Sequence, residues 1–187
     1  MTAISTPGVK PAFSASLRTL YFIRFAFAIV WAVVLFAAGG SGGVLLTVLL
    51  VVYPLVDAAA VLWQVRAEGA SQASRIPEWI NIVVSLIAAV ALGLIATVSV
   101  AGVLLVWGLW AVVSGAVQLI TALLRRSLGG QIPQIVSGAV SVLAGIGFAA
   151  GSATATSPTA IGGYAAFGGI LFLISAIRLT VLLRRAS

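Results

Sequence analysis

The stretch GVLLTVLLVVYPLVDAAAVLWQV, residues 43–65, is long and apolar enough to cross a lipid bilayer as a single helix. It nevertheless carries a carboxylate, Asp57, well inside the apolar run. A charged side chain at the centre of a membrane costs about 2.5–3.5 kcal/mol on insertion scales. The fold must therefore supply Asp57 with a partner from another helix.

The whole chain has the composition of a membrane protein. Of its 187 residues, 62% are hydrophobic and 7% are charged, whereas a soluble domain carries about 25% charged residues. Its apolar runs approach the ~20 residues that span a bilayer, and they predict an all-α integral membrane protein, a six-transmembrane-helix bundle. Residues 1–16 are predicted to form a disordered cytoplasmic tail ahead of the membrane domain, residues 17–187. The predicted helices are Leu17–Ala38, Gly43–Val65, Trp79–Val98, Ala101–Leu124, Pro133–Gly151 and Ile161–Leu183.

The net charge of +7 is distributed as in a membrane protein and does not indicate nucleic-acid binding. Alternate connections, GGSGG, TVSVAG and GSATATSPTA, contain no charged residue. By the positive-inside rule, both termini are predicted to be cytoplasmic. Arginine pairs at helix ends are expected to contact anionic lipid headgroups on that side, at about 1 kcal/mol per residue. These pairs are Arg125 with Arg126 and Arg184 with Arg185.

The residue types that are absent exclude several kinds of chemistry. The chain has no cysteine and no histidine, so disulfides, thiol nucleophiles, Cys/His metal sites and haem ligation are excluded and no cofactor is predicted. Its carboxylates are Asp57, Glu68 and Glu78, of which both glutamates are predicted to be solvated loop residues. General acid–base catalysis needs positioned titratable groups. The sequence therefore predicts a protein that is not an enzyme.

A two-helix unit is repeated along the chain, at about residues 17–66, 76–126 and 132–185. Arg24, Asn81 and Ser137 take equivalent places in the odd-numbered helices, and an aromatic residue recurs in the even-numbered ones. Frequent Ala and Gly would by themselves produce part of this pattern, but polar and aromatic positions repeat with the small ones. The copies are predicted to have one orientation, arranged about a pseudo-threefold axis along the membrane normal. Small residues expected at the helix contacts are Gly108, Ala111, Gly115, Ser141, Gly145, Gly162, Ala165 and Gly169.

Four segments also resemble a known family. LYFIRFAFAIVWAVVLF and YPLVDAAAVL, together with LWAVVSGAVQLITALLRR and GYAAFGGILFLISAIRL, are similar to the helices of the HdeD-like acid-resistance membrane proteins, which are small multispanning bacterial proteins. The resemblance covers residues 17–185 and departs at Phe25 and Ala58, where the family usually has glycine. It implies a bacterial cytoplasmic membrane protein with a role in tolerance to acid or envelope stress.

Arg24 is the predicted partner of Asp57. At 1.5 Å per residue, Asp57 lies about 12 Å from the cytoplasmic end of its helix and Arg24 about 10 Å from the same side, in a neighbouring antiparallel helix. The pair is interpreted as a structural clamp, because a protonation relay would need further titratable groups within the membrane. Arg178 either joins a polar layer at this depth or extends to the headgroups. The other predicted members of the layer are Asn81, Ser114, Gln118 and Ser137.

The sequence is compatible with three functions. The first is a non-enzymatic stress-tolerance protein that acts through helix packing and partner contacts, with a homo-oligomer or another membrane protein as partner. The second is a small transporter or channel that uses the polar layer around Arg24, Asp57 and Gln118. The third is an accessory subunit of a larger membrane complex. The apolar outer halves of the helices argue against an open water pathway.

Overall fold

The computed structural model describes residues 11–38, 43–68, 75–124 and 131–186, which are almost entirely helical and include no strand. A turn at residues 96–98 joins α3 to α4, and a short 3-10 helix, Ser152–Thr154, follows α5. The helices are α1 (Pro11–Ala38), α2 (Gly43–Glu68), α3 (Ile76–Ile95), α4 (Val100–Leu124), α5 (Ile132–Gly151) and α6 (Ala160–Ala186).

Two helix starts differ from the sequence prediction because proline is tolerated in the first turn of a helix. Helix α1 begins at Pro11, so residues 11–16 are helical and do not belong to a disordered tail; residues 1–10 lie outside the described part of the chain. Helix α3 begins at Ile76 with a proline in its first turn. Glu78 therefore lies in that turn and is 4% exposed, so its prediction as a solvated loop residue is wrong. Glu68, also predicted to lie in a loop, ends α2.

Within the described residues, the helices form a closed ring in sequence order. Each helix packs against its neighbours along the chain, and α1 closes the ring by packing against α6. The most extensive contacts join α4 to α5, α1 to α6 and α2 to α3. The two helices of each predicted repeat touch each other less than they touch the neighbouring repeat. The antiparallel ring has a termini end, where α1 begins and α6 ends, and a loop end opposite.

Small residues set the closest helix contacts. A Cβ built on Gly108 of α4 would lie 2.6 Å from the carbonyl oxygen of Gly145 in α5, and one built on Gly115 would lie 2.6 Å from the Cβ of Ser141. Glycine at these points lets the backbones approach, and close packing is a main source of helix association in lipid. All the small residues predicted at helix contacts are buried: Gly108, Ala111, Gly115, Ser141, Gly145, Gly162, Ala165 and Gly169.

The loop half of the bundle is a packed apolar core. Its centre is an aromatic cluster in which Trp31 stacks on Trp107, with ring centroids 5.6 Å apart. The indole N–H of Trp31 donates to the carbonyl oxygen of Leu49 over 2.8 Å, which satisfies that polar group in the interior. Further buried core residues in this half are Leu35, Leu50, Leu92, Val103, Leu104 and Ile161.

The outer surface of the ring is apolar, as a lipid-facing surface requires. Large side chains such as Val30, Leu94 and Leu143 are 64%, 75% and 69% exposed. Among the described residues, six helices are long and apolar enough to cross a membrane. A soluble protein rarely exposes such an extensive apolar surface. The chain is therefore a multispanning membrane protein with an all-α six-helix fold.

Candidate functional site

A central cavity of about 470 Å³ occupies the termini half of the ring. Side chains from each of α1 to α6 line it. Toward the termini it reaches the ends of the helices, where Ser14, Glu78 and Leu183 are among its lining residues. At its inner end are Tyr53, Trp110 and Tyr164, one from each even-numbered helix; these three residues are called the aromatic floor below. Beyond the floor lies the apolar core.

Asp57 is bonded to three other side chains, two of which, Arg24 and Asn81, also line the cavity. Its Oδ1 accepts a hydrogen bond from the Arg24 guanidinium, and the two groups form an ion pair. The Asp57 side chain is 11% exposed and the Arg24 side chain is 17% exposed. Its Oδ2 accepts hydrogen bonds from Asn81 Nδ2 over 2.8 Å and from Ser85 Oγ over 3.2 Å. A carboxylate inside a membrane needs such partners, because no bulk water replaces them. The carboxylate of α2 is thereby joined to both α1 and α3.

Aromatic contacts extend this network to α4 and α6. The indole N–H of Trp110 donates to Ser85 Oγ over 3.0 Å, which connects the aromatic floor to the Asp57 carboxylate through one hydroxyl. The guanidinium carbon of Arg24 lies 4.2 Å from the centre of the Phe172 ring in α6. A cation over an aromatic face at this distance is attracted by the ring quadrupole. Arg24 is therefore held by α2 on one side and by α6 on the other.

A second polar network joins α4, α5 and α6. Gln118 Nε2 donates to Gln134 Oε1 over 2.6 Å, and Gln134 Nε2 donates to Ser175 Oγ over 3.2 Å. Nearer the aromatic floor, the hydroxyl of Tyr164 donates to Ser141 Oγ over 3.0 Å. The amide groups of Gln118 and Gln134 thus bond to each other, and that of Gln134 also bonds to the Ser175 hydroxyl. The two glutamines link neighbouring helices.

The structure brings together all but one of the residues that the sequence assigned to the polar layer. Arg178 is exposed and does not line the central cavity, which agrees with the alternative that its side chain extends to the headgroups. Arg184 and Arg185 are exposed in the last turn of α6, and Arg125 and Arg126 lie outside the described residues. The predicted residues that do line the cavity are Arg24, Asp57, Asn81, Ser114, Gln118 and Ser137.

Sequence reasoning missed several partners in these networks. Ser85 and Ser175 are buried serines inside apolar helices, and Gln134 is a buried amide near the start of α5. A signal was present for Ser85, which follows Asn81 by one helical turn, and for Gln134, which precedes Ser137 by three residues. Residues at these spacings share one face of a helix. In the predicted repeat Ser85 already shares a stripe with Asn81, and the same spacing rule could have placed Gln134 on the cavity side.

The cavity wall combines apolar side chains with a few polar ones. Among the described residues, no group of three or more His, Cys, Asp or Glu side chains could hold a metal ion. The cavity has the size of small-molecule sites, which are typically about 300–1,000 Å³ and mostly apolar with a few placed polar groups. No family model, curated protein or solved structure matches the chain. The HdeD-like resemblance therefore stays a prediction.

Proposed function

We propose that the protein is a non-enzymatic membrane carrier that binds a small molecule in the central cavity, reached from the cytoplasm. The observation that carries this proposal is the cavity of about 470 Å³, which is lined by side chains from each of α1 to α6 and ends at the aromatic floor. The cytoplasmic assignment follows the positive-inside pattern of the sequence. The cavity favours the transporter interpretation over the two interpretations that rest on helix packing alone.

The depth of the aromatic floor supports a carrier. Tyr53 is ten residues beyond Gly43, the first residue of α2, which places it about 15 Å from the loop end of that helix. This is half of the ~30 Å hydrocarbon thickness of a bilayer. Substrate sites of many transporters lie near the midplane, at the interface between repeats. A cavity that ends there and is closed toward the loop end by apolar residues has the form of a carrier open to one side.

The polar lining also argues for a ligand. A bundle that acted only through packing would be filled by side chains at interior density. This one surrounds its axis with amides, hydroxyls and an ion pair, which are expensive to place in a membrane and mark functional pathways. The acid- or envelope-stress role and the accessory-subunit role stay predictions. The first of them rests on the family resemblance.

Cysteine accessibility tests the cavity directly, because the chain has no native cysteine. Ser114→Cys and Ser137→Cys place thiols at cavity-lining positions, and Leu143→Cys places one on the lipid-facing surface as the matched control. We expect a charged, membrane-impermeant thiol reagent to label both cavity variants in inverted vesicles and to spare them in intact cells. Leu143→Cys should stay unlabelled in both. Absence of labelling of the cavity variants from either side would contradict the proposal.

A further inference from the structure

We infer that the ligand of the central cavity is a single-chain amphiphile with an anionic head, which enters from the cytoplasmic leaflet through a gap between α5 and α6. This inference rests on the proposed function, because it assumes that the cavity takes a ligand. A second cavity, of about 30 Å³, adjoins the central one and is lined by residues from α1, from α6 and from the start of α5. The residues that line both cavities are Leu17, Tyr21, Gln131, Gln134, Leu179 and Leu182.

The second cavity lies in the gap between α5 and α6. Its wall includes Gln134 on the α5 side, and Ser175 and Arg178 on the α6 side. Gln134 Nε2 and Ser175 Oγ are joined across the gap by a hydrogen bond of 3.2 Å. Among the neighbouring helices of the described ring, α5 and α6 pack against each other least extensively. The wall of the bundle is therefore least tightly sealed at this gap.

Two residues of α6 indicate that the gap opens toward lipid. Leu182 lines both cavities and is nevertheless 48% exposed. Arg178, one helical turn before it, lines the second cavity and is also exposed. Arg178 lies seven residues before the end of the α6 span at Arg185, which is about 10 Å along the helix axis. The opening at Arg178 is therefore within the membrane, on the side of the termini.

The arginine at this opening selects the head of the ligand. A charged side chain at this depth is costly unless it extends to the headgroup layer or pairs with an opposite charge. A guanidinium is planar and binds carboxylate and phosphate oxygens through two parallel hydrogen bonds. An anionic head can thus stay at Arg178 while its chain passes Leu179 and Leu182, which line both cavities.

The interior of the central cavity fits an apolar chain. Arg24 and Asp57 are paired with each other, and the amides of Gln118 and Gln134 are bonded to each other. A strongly hydrated ligand would have to break these links to replace its own lost water, whereas an acyl chain leaves them in place. The volume of about 470 Å³ is that of a site for a drug-sized molecule. One chain fits such a volume, and an entire two-chain phospholipid exceeds it.

Protection from thiol labelling tests the ligand class. Full-length Ser137→Cys in lipid nanodiscs is labelled with a cationic and, separately, with an anionic thiol reagent, so that a changed surface charge cannot imitate protection. We expect dodecanoate, dodecyl phosphate or both to slow the two reactions roughly tenfold at about ten times the Kd, because about a tenth of the cavities then stay empty. Protection by one of the two alone identifies the head as a carboxylate or a phosphate.

The controls for this assay are dodecanol, dodecyltrimethylammonium and inorganic phosphate, which should leave the labelling rates unchanged at the same concentrations. Equal protection by any of the three, or no protection by either anionic amphiphile, overturns the inference. Labelling that proceeds but is never protected leaves the proposed function standing. Absence of labelling before any amphiphile is added contradicts the proposed function itself.

Variants of Arg178 test where the head binds. Arg178→Gln should weaken the affinity for the anionic amphiphile roughly fivefold, the factor expected for one basic residue near the membrane surface. Arg178→Lys keeps the charge and should lose less. Arg185→Gln is the matched control, because Arg185 is exposed in the last turn of α6 and lines neither cavity. Equal losses for Arg178→Gln and Arg185→Gln would reflect surface charge alone and would overturn the inference.

Photocrosslinking at two matched leucines tests the route. Leu182 of α6 and Leu123 of α4 each begin the sequence LLRR, and they are 48% and 43% exposed. Leu182 lines both cavities, whereas Leu123 lines neither. A benzophenone amino acid at Leu182 should form an adduct with the protecting amphiphile that saturates as its concentration rises. At Leu123 the adduct should increase in proportion to the amphiphile in the membrane. Saturation at both positions or at neither overturns entry between α5 and α6.

Discussion

Asn81 donates a 2.8 Å hydrogen bond to Oδ2 of Asp57, the carboxylate whose Oδ1 pairs with Arg24. In the predicted repeat, Asn81 occupies in the second copy the place that Arg24 occupies in the first. Two equivalent positions, on α1 and α3, therefore converge on one carboxylate contributed by the helix between them. Asp57 holds three helices together at the wall of the cavity.

The ion pair is expected to behave as a coupled unit in stability measurements. Asp57→Asn and Arg24→Gln each leave the other group without its charge partner inside the membrane, and breaking a buried pair in this way costs about 3–5 kcal/mol. The double variant removes both charges and should recover part of the loss. Membrane accumulation and the free energy of unfolding in detergent, measured for all four combinations, give the coupling energy.

Arg178→Gln is the matched control for that cycle, because this arginine is exposed on α6 and does not line the central cavity. It should accumulate like wild type. A double variant no better than the worse single variant would show that the two charges do not stabilise each other.

The crossing of α4 and α5 predicts a position-specific effect of one methyl group. A Cβ at Gly145 would lie 2.5 Å from the carbonyl oxygen of Gly108 and 2.8 Å from the amide nitrogen of Val112, both of which are backbone atoms. Because backbone cannot move aside as a flexible side chain does, Gly145→Ala should destabilise the protein by about 1–3 kcal/mol.

Gly147→Ala is the control on the same helix. Its added Cβ has no atom within 4 Å and the position is exposed. Helix propensity favours alanine there, so its thermal midpoint should equal or slightly exceed that of wild type. Equal midpoints for the two alanine variants would contradict the close crossing.

The second polar network predicts a graded response. Ser175→Ala removes one acceptor from the Gln134 amide, and hydrogen bonds between membrane helices average ~0.6 kcal/mol. Gln134→Leu should cost more, about 1–3 kcal/mol, because it leaves the Gln118 amide without its partner. Thr180→Ala removes a hydroxyl that bonds within its own helix and is the control. Unfolding titrations in a mild denaturing detergent rank the three variants, and a Gln134→Leu effect equal to that of Thr180→Ala would contradict the link.

The ion pair could be predicted from sequence because depth and helix adjacency are enough to suggest it. Counting residues from the helix ends places Arg24 and Asp57 at one level, and a short connection makes their helices neighbours. The rotation of each helix about its axis is harder to obtain. This rotation determines which side chains face the cavity. Because of it, Asn81 and Ser85 also contact Asp57, and Arg178 lies on the outer surface. In an apolar sequence the lipid-facing and interior sides differ little in hydrophobicity, so periodicity gives a weak signal.

Two further features lay beyond sequence reasoning for different physical reasons. Glu78 is predicted to lie in a solvated loop because it closes a polar stretch that contains Arg66 and Arg75. Pro77 nevertheless fits the first turn of α3, so Glu78 is part of that helix and is buried. The central cavity is a property of the closed ring. It exists because side chains from helices far apart in sequence leave the axis unfilled. A cavity formed in this way has no local sequence pattern from which it could be predicted.

Complementation under acid challenge separates a structural from a chemical role of Asp57. In a strain that lacks the protein, we expect survival to be restored by wild type and to fall with Asp57→Asn in proportion to the amount of protein in the membrane, because the carboxylate bonds three helices together. Membrane levels are quantified in the same cultures, with Gly147→Ala as the neutral variant.

Survival that collapses while protein levels hold would instead assign Asp57 a direct chemical role, and proton flux into liposomes would then measure that role. Normal survival of the deletion strain itself would show that the acid-tolerance role implied by the resemblance does not apply to this protein, and would leave the carrier proposal to be judged by cysteine labelling.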